Sequence, residues 1–220
     1  MDFLKWFGNA SFSFVDKRSG NRAYWIDPFD LKDREIEPAD LVFITHAHYD
    51  HFSPDDLEKV LHDETVIVAP LDILDKINRD GSLKKEVLPN QSYEIKGFKF
   101  STIPAYNINP QRLSFHPKAN NWVGFIFEIN GQKVYHAGDT DFTPEMKDLN
   151  KLNLDIAMLP IGGTYTMDVS EAIDAANAIA AKTTIPMHYK RLLGDRYKEA
   201  EEKFKTGVTA SKVVILEEVK

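Results

Sequence analysis

The chain has 220 residues, of which 43% are hydrophobic and 28% are charged. This balance is that of a folded globular protein and excludes a disordered, fibrous or collagen-like chain. Thirty-four acidic residues against 27 basic ones give a net charge of -7, which argues against binding nucleic acid by neutralising its phosphates. The sequence contains no cysteine, so disulfides, thiolate nucleophiles and cysteine-based zinc sites are excluded, and a metal would need His, Asp or Glu.

The first part of the chain is rich in strand patterns. Aromatic residues from Phe3 to Val15 predict two strands around a turn, and Arg22 to Ile26 predicts a third. The unbroken apolar run Leu41 to Ile44 is typical of a strand buried on both faces. Ser53 followed by Pro54 predicts the start of a helix, with the serine as its N-cap. Later elements are a helix near Pro70 to Ile77 and strands at Thr65 to Val68, Glu86 to Leu88 and Tyr93 to Ile95.

The second part repeats this strand-rich plan. Asp168 and Glu171 form a capping-box pattern that predicts a helix from Val169 to Lys182, and a charged helix is expected from Arg196 to Lys205. Helices are too few to cover every strand pair, so we expect two sheets packed on each other with helices outside, in one domain over residues 1–220 with halves of about 1–96 and 97–220. The predicted strands are Phe98 to Ile103, Trp122 to Ile129, Lys133 to His136, Asp155 to Leu159, Thr184 to Met187 and Lys212 to Leu216.

Four candidate metal ligands directly follow the buried strand: His46, His48, Asp50 and His51. Buried imidazoles and carboxylates cost free energy unless each has a partner, and a metal would supply one. On an extended chain His46 and His48 point the same way, and the following turn can direct the other two to a second point nearby. This geometry suits two cations about 3.5 to 4 Å apart. A surface histidine cluster is the alternative, which the buried strand before it and the capped helix after it disfavour.

This His-X-His-X-Asp-His arrangement, preceded by Thr45, resembles the signature of the metallo-β-lactamase superfamily of hydrolases. The resemblance implies an α/β (α+β) fold, a four-layer αββα sandwich of the metallo-β-lactamase type. It is closest to the short, insertion-free branch that includes ascorbate-6-phosphate lactonase. Other segments similar to the family are Gly8-Asn9-Ala10-Ser11-Phe12, Ile26-Asp27-Pro28-Phe29, Tyr135-His136-Ala137-Gly138-Asp139-Thr140 and Pro186-Met187-His188-Tyr189.

The resemblance also implies a ligand set for two divalent metal ions. Zinc is the first choice, with manganese, nickel and iron as alternatives for His and carboxylate ligands. The implied ligands are His46 and His48 for the first metal, Asp50, His51 and His188 for the second, and Asp139 as the bridge between them.

The family's third histidine for the first metal has no direct counterpart, because Tyr106 stands in its place. His116 lies ten residues further on in the irregular loop Ala105 to Asn121 and could fold back to replace it, the alternative being an exposed loop residue. Without that replacement the first metal would be bound by only His46, His48 and Asp139, and Tyr106 would face the cleft and donate a hydrogen bond to the substrate or to a developing oxyanion. Lys190, which closely follows His188, could bind an anionic group of the substrate or be ordinary surface charge.

The function implied by the resemblance is metal-dependent hydrolysis of a small, anionic ester, lactone or phosphodiester by a metal-activated water. Asp50 would orient this water and pass a proton to the leaving group. Oxygen-reducing di-iron members of the family carry Glu at the position of His48, which disfavours redox chemistry. A nuclease, against which the charge argues, and a non-catalytic metal- or ligand-binding module are the alternatives.

The expected partner is a small-molecule substrate, without nucleic acid or membrane, and a homo-oligomer is left open. No apolar stretch approaches the roughly 18 residues of a membrane span, and the opening residues lack the pattern of a signal peptide. We therefore expect a cytoplasmic location. His62, at the end of the first predicted helix, is expected on the surface, and His136 in the sheet or beside the site.

Overall fold

The structure is a computed structural model that describes residues 2–20, 22–32, 34 and 36–219. The chain divides into two compact units, one formed by Met1–Leu88 with Glu217–Lys220 and the other by Pro89–Leu216. The first unit contains a six-stranded sheet and the second a seven-stranded sheet. Among the described residues, no helix is both long and apolar enough to cross a membrane.

The strands of the first unit are β1 (Leu4–Gly8), β2 (Ser11–Asp16), β3 (Arg22–Ile26), β4 (Leu41–Phe43), β5 (Val66–Ala69) and β6 (Lys84–Glu86). They lie side by side in chain order, with β1, β2 and β3 antiparallel and β3 to β6 parallel. The register between β3 and β4 pairs Ile26 with Phe43. Since parallel strands have their carboxyl ends at the same sheet edge, the residues that follow β3 and β4 emerge next to each other.

Two short helices, α1 (Pro54–Val60) and α2 (Leu71–Leu74), complete the first unit. Ser53 caps α1 as predicted, since its side chain accepts a hydrogen bond from the Asp56 amide. Glu218 forms a β-bridge with Trp6, so the last residues of the chain return to this unit. Its core is a cluster of buried apolar side chains that includes Phe7, Trp25, Leu31, Val42, Ile44, Leu57, Val60, Ile67 and Ile73.

The strands of the second unit are β7 (Ser92–Ile95), β8 (Phe98–Pro104), β9 (Val123–Ile129), β10 (Gln132–His136), β11 (Ile156–Pro160), β12 (Thr183–Met187) and β13 (Lys212–Val213). They run in the order β13-β12-β11-β10-β9-β8-β7. Neighbours from β7 to β10 are antiparallel and those from β10 to β13 are parallel. The carboxyl ends of β10 and β12 therefore lie at the same edge, where Asp139 and His188 follow them.

The helices of the second unit are α3 (Val169–Ile179), α4 (Lys190–Leu193) and α5 (Tyr197–Gly207). The predicted capping box of Asp168 and Glu171 is present at the start of α3. This helix ends three residues earlier than predicted, because Ala180 adopts the left-handed conformation and the chain turns into β12. The described residues also form 3₁₀ segments, which are Lys17–Ser19 and Gly81–Leu83 in the first unit and Lys118–Asn120, Pro144–Leu152 and Gly194–Arg196 in the second.

The division between the units differs from the expected division near residue 96. The strand β7 pairs with β8 in the second sheet, so the second unit begins at Pro89. Apolar alternation identifies such a strand but carries no information on which sheet it joins.

Candidate metal centre

Four predicted ligands lie together on the loop that follows β4. His46 and His51 are buried, whereas His48 and Asp50 are half-buried. The Nε2 of His46 is 3.0 Å from the Nδ1 of His48, and the Nε2 of His51 is 3.9 Å from the Oδ2 of Asp50. Two ligands of one tetrahedral zinc ion, with bonds of about 2.0 to 2.1 Å, are about 3.4 Å apart. The two pairs bracket this separation, so the loop fits the chemistry of metal binding.

Asp27, the residue after β3, fixes the orientation of His51. Its carboxylate is fully buried, and Oδ2 lies 2.7 Å from the Nδ1 of His51. A carboxylate oxygen accepts, so the proton of this imidazole is on Nδ1 and the lone pair of Nε2 is on the side of Asp50. A carboxylate that holds the distal nitrogen of a metal-binding histidine is a common supporting contact in metal sites.

The same carboxylate reaches His46 through Thr45. The Thr45 amide and hydroxyl both donate to Asp27, at 2.8 and 2.7 Å. Since the hydroxyl proton is used in this way, the Thr45 Oγ1 acts as acceptor for the Nδ1–H of His46 at 3.0 Å. His46 consequently presents Nε2 to His48, so one buried carboxylate orders two imidazoles.

Asp50 is held by Asn9 from the turn between β1 and β2. The Asn9 side chain donates to the Asp50 Oδ2 at 3.1 Å and to its carbonyl oxygen at 3.3 Å. Asn9 has a φ of 47°, a left-handed conformation that asparagine tolerates better than most residues. Sequence reasoning assigned no role to Asp27 or Asn9, although both lie in segments that resemble the family.

Three further predicted ligands meet within the second unit. His116, Asp139 and His188 are all buried. The Oδ2 of Asp139 is 3.4 Å from the Nε2 of His116 and 3.4 Å from the Nε2 of His188. Both separations match two ligands of one cation. His116, which sequence reasoning left open between a ligand and an exposed loop residue, is therefore a buried neighbour of Asp139.

The backbone around these ligands contains two tightly packed glycines. A Cβ atom on Gly124 would be 2.8 Å from the carbonyl oxygens of His136 and Ala137, and one on Gly162 would overlap the carbonyl oxygen of His188. His188 itself has a φ of 56°, a strained value for a non-glycine residue that often accompanies function. Glycine at these positions lets neighbouring backbone approach the segments that carry Asp139 and His188.

Tyr106 is buried, and its hydroxyl is engaged within the second unit. It donates to the Glu145 Oε2 at 2.9 Å and accepts from the Lys118 Nζ at 3.1 Å. Burial raises the pKa of Tyr106, so the phenol stays protonated and donates its single proton to Glu145. The substrate-binding role of Tyr106 stays a prediction.

Lys190 is the first residue of α4 and is half-buried. Its ammonium lies 5.6 Å from the centre of the Tyr197 ring, and its role in binding substrate also stays a prediction. His136 is buried at the end of β10, where its Nδ1 accepts from the Gly138 amide at 3.2 Å, and His62 is exposed, both as expected.

Comparison with known proteins identifies the family. A model described as β-lactamase superfamily domain matches residues 3–188, and the chain therefore belongs to this superfamily. A UPF0173 metal-dependent hydrolase of Thermoplasma acidophilum is 32% identical over 230 residues, covering 99% of this chain and 97% of the relative. A UPF0173 metal-dependent hydrolase of Thermococcus onnurineus is also 32% identical, with 88% and 92% covered.

Solved structures agree with this assignment. A candidate metal-dependent hydrolase from Parabacteroides distasonis superposes with a TM-score of 0.82 at 30% identity, covering 96% of this chain and 91% of its own. Igni18, a metallo hydrolase of Ignicoccus hospitalis, gives a TM-score of 0.76 at 24% identity over 99% and 95% of the two chains and supports the fold alone. The predicted superfamily and its mixed α/β fold class are confirmed, and the relatives bear the name of the predicted enzyme class. The closer likeness to ascorbate-6-phosphate lactonase stays a prediction.

Proposed function

We propose that this chain is a hydrolase that requires a pair of divalent cations and acts on a small, anionic ester, lactone or phosphodiester. One observation carries the proposal: the Nε2 atoms of three buried histidines lie 3.4 to 3.9 Å from a carboxylate oxygen, close to the separation of about 3.4 Å expected for two ligands of one zinc ion. These pairs are His51 with Asp50 in the first unit, and His116 and His188 with Asp139 in the second.

A neutral imidazole with its proton on Nδ1 has a lone pair on Nε2. In the second unit the Nε2 of His116 lies 3.4 Å from a carboxylate oxygen of Asp139, and two such electron-rich atoms repel each other. A cation between them replaces this repulsion with two bonds. The arrangement is thus suited to binding a metal.

We assign the ligands by the pairs that each unit presents. His46 and His48 form one pair, Asp50 and His51 a second, and Asp139 faces both of its histidine neighbours. Joining the ligands of the two units requires the chain to act as a single domain, which the family match over residues 3–188 supports. The first cation would be bound by His46, His48 and His116, the second by Asp50, His51 and His188, and Asp139 would bridge them.

Bound cations would lower the pKa of a water molecule towards about 7 and polarise a carbonyl or phosphoryl oxygen. Zinc is the preferred ion for this donor set, with manganese, nickel and iron as alternatives. Asn9 holds the Oδ2 of Asp50, and we assign to the Oδ1 the transfer of a proton to the leaving group. Lys190 would attract an anionic substrate, and Tyr106 would contribute to binding it.

A cytoplasmic location also stays a prediction.

Metal analysis of the purified protein and a screen of lactones, phosphodiesters and thioesters test the proposal together. We expect two metal equivalents and measurable hydrolysis. His188→Ala and Asp139→Ala should each lower turnover more than about 100-fold, because loss of a ligand removes the ion's support. His62→Ala, at an exposed histidine, is the matched control and should keep full turnover.

Thermal melts in excess chelator separate folding from catalysis, and both ligand variants should melt close to the wild type there. One metal equivalent or none, without hydrolysis of any screened substrate, would favour the non-catalytic binding module. Turnover confined to RNA would favour the nuclease. Near wild-type turnover of either ligand variant would contradict the assignment of the ligands.

A further inference from the structure

A buried ionic cluster centred on Arg112 contributes no ligand to the proposed metal centre. The guanidinium forms ion pairs with Asp141 at 2.9 Å and with Glu171 at 2.7 Å, and it donates to the carbonyl oxygens of Gly163 and Thr166. A buried charge is costly unless it is paired and hydrogen-bonded, and here it is both. The cluster therefore ties the loop of residues 105–121 to the segment that precedes α3.

Asp141 also fixes the start of the loop through hydrogen bonds. Its Oδ2 accepts from the backbone amides of Ile108 and Asn109, both at 2.8 Å. Its Oδ1 accepts from the Asn107 side chain at 3.0 Å. Asn107 is thus fixed by backbone and side-chain contacts, and it is buried.

The hydrogen bonds of Asn107 determine which way its amide points. The Nδ2 lies 3.0 Å from the Asp141 Oδ1 and 3.0 Å from the Tyr165 carbonyl oxygen, and both of these atoms only accept. The Oδ1 faces the His116 backbone amide at 3.1 Å, which only donates, and the His116 Nδ1 at 2.9 Å. A flipped amide would face two acceptors with its oxygen. The proton of the His116 ring must consequently be on Nδ1.

We infer that Asn107 is a positioning residue for His116, itself held by Asp141 and Arg112. It fixes the imidazole with the proton on Nδ1 and with Nε2 directed at Asp139. The inference rests on the proposed function in one respect, that Nε2 binds a cation. The resemblance places a ligand histidine at the position that Tyr106 occupies after β8. His116 can replace that ligand from within the loop, because this hydrogen-bond network orders the loop before a metal binds. Such preorganisation of a ligand by its hydrogen-bond partners typically changes metal affinity by about 10- to 100-fold.

The first test uses metal-free protein and nitrogen-15 NMR of the imidazole rings. Wild-type His116 is expected to be protonated at Nδ1, and Asn107→Ala to shift the ring towards the Nε2–H form. Asn177→Ala is the matched control, because the Asn177 side chain also joins two segments of this unit: it lies in α3 and its Oδ1 accepts from the amides of Thr209 and Ala210. Asn177→Ala should lower stability and leave the tautomer of His116 unchanged. If Asn107 had only a structural role, Asn107→Ala would have the same two effects.

The second test is a chelator titration of the metal-loaded proteins. Asn107→Ala should release one of the two cations at about 10- to 100-fold lower chelator strength, and Asn177→Ala should match the wild type. Adding Asn107→Ala to His116→Ala should weaken binding no further, since the residue acts through the ring.

Each result bears on one conclusion. Wild-type His116 protonated at Nε2 would overturn the inference even if Asn107→Ala failed to fold, as would an Asn107→Ala protein with the wild-type tautomer and affinity. A wild-type protein that binds no cation would instead defeat the proposed function, and the tautomer would still report on Asn107.

Discussion

Asp27→Asn is the substitution that tests most directly how the first unit prepares its ligands. Asparagine keeps the shape of the side chain but replaces one carboxylate oxygen by an NH₂ group. In the native protein Oδ1 accepts from the Thr45 amide, and Oδ2 accepts from the Thr45 hydroxyl and from the His51 Nδ1. An amide oxygen can replace only one of these atoms. In either orientation a buried donor of Thr45 or His51 then faces the NH₂ group.

The expected cost follows from these contacts. A hydrogen bond to a charged acceptor contributes about 1.5 to 3 kcal/mol, and two such bonds to Oδ2 are at risk. The Thr45 hydroxyl can rotate towards another acceptor, so we expect a net loss of about 3 kcal/mol in the free energy of unfolding of the metal-free protein. Since His46 depends on Thr45 and His51 on Asp27, both cations should bind about 10- to 100-fold more weakly, which is about 1.4 to 2.7 kcal/mol each.

Denaturant unfolding in excess chelator measures the first quantity, and a chelator titration of the loaded protein measures the second. Asp40→Asn is the matched control, because the Asp40 carboxylate also joins β3 and β4, by accepting from the Ala23 amide at 3.1 Å, but at the opposite ends of these strands. It should lower stability and leave both metal affinities unchanged. An Asp27→Asn protein that retains both cations as the wild type does would refute the reasoning, whatever its stability.

Two further predictions concern Gly162 and Asp56. Gly162→Ala should displace the backbone of His188, weaken metal binding at least about tenfold and destabilise the fold by about 1 to 3 kcal/mol; wild-type affinity in a chelator titration would show that this close approach is not needed. Burial acts to raise the pKa of Asp56, but hydrogen bonds from Lys59 and from backbone amides outweigh it and lower the pKa. Because the folded-state pKa is the lower one, this stabilisation is present above the unfolded pKa of about 3.9 and is lost as the pH falls through the folded value. Asp56→Asn should therefore flatten the acid side of the stability curve in urea unfolding between about pH 6 and pH 2.5, and an unchanged curve would assign the slope to other carboxyl groups.

Much of the secondary structure is readable from local chemistry. Ser53 with Pro54, and Asp168 with Glu171, determine helix starts within a few residues, and the structure has both. The strand predicted at Glu86 to Leu88 lies instead at Lys84–Glu86, because parallel pairing with β5 sets its register. The side chains of this strand are polar, which is common in an edge strand. A search for apolar patterns therefore places it incorrectly. The 3₁₀ segment Pro144–Leu152 was not predicted, since Met146 and Leu149 are its only buried residues.

The candidate ligands were predictable because four of them fall in one short window after a buried strand. Their supporting residues were not, because they are distant in sequence. Asp27 reaches His51 across 24 positions, since the register of β3 on β4 brings their ends together. Asn107 reaches His116 because Arg112 folds the intervening loop. Pairing register and loop conformation are tertiary properties, and residue spacing does not encode them.

The supporting residues also predict which cation binds more weakly. His51 donates its Nδ1–H to the carboxylate of Asp27 at 2.7 Å, whereas His116 donates to the neutral amide of Asn107 at 2.9 Å and His46 to the neutral hydroxyl of Thr45. An anionic acceptor makes the ring a stronger base and ligand than a neutral one does. In the ligand assignment proposed above, both neutral acceptors serve the first cation and the carboxylate serves the second. The first cation should therefore leave first in a chelator titration that is followed by nitrogen-15 NMR, with the His116 signal changing before that of His51. Loss in the reverse order would mean that the charge of the acceptor does not set the order of affinity, or that the two histidines have been assigned to the wrong cations.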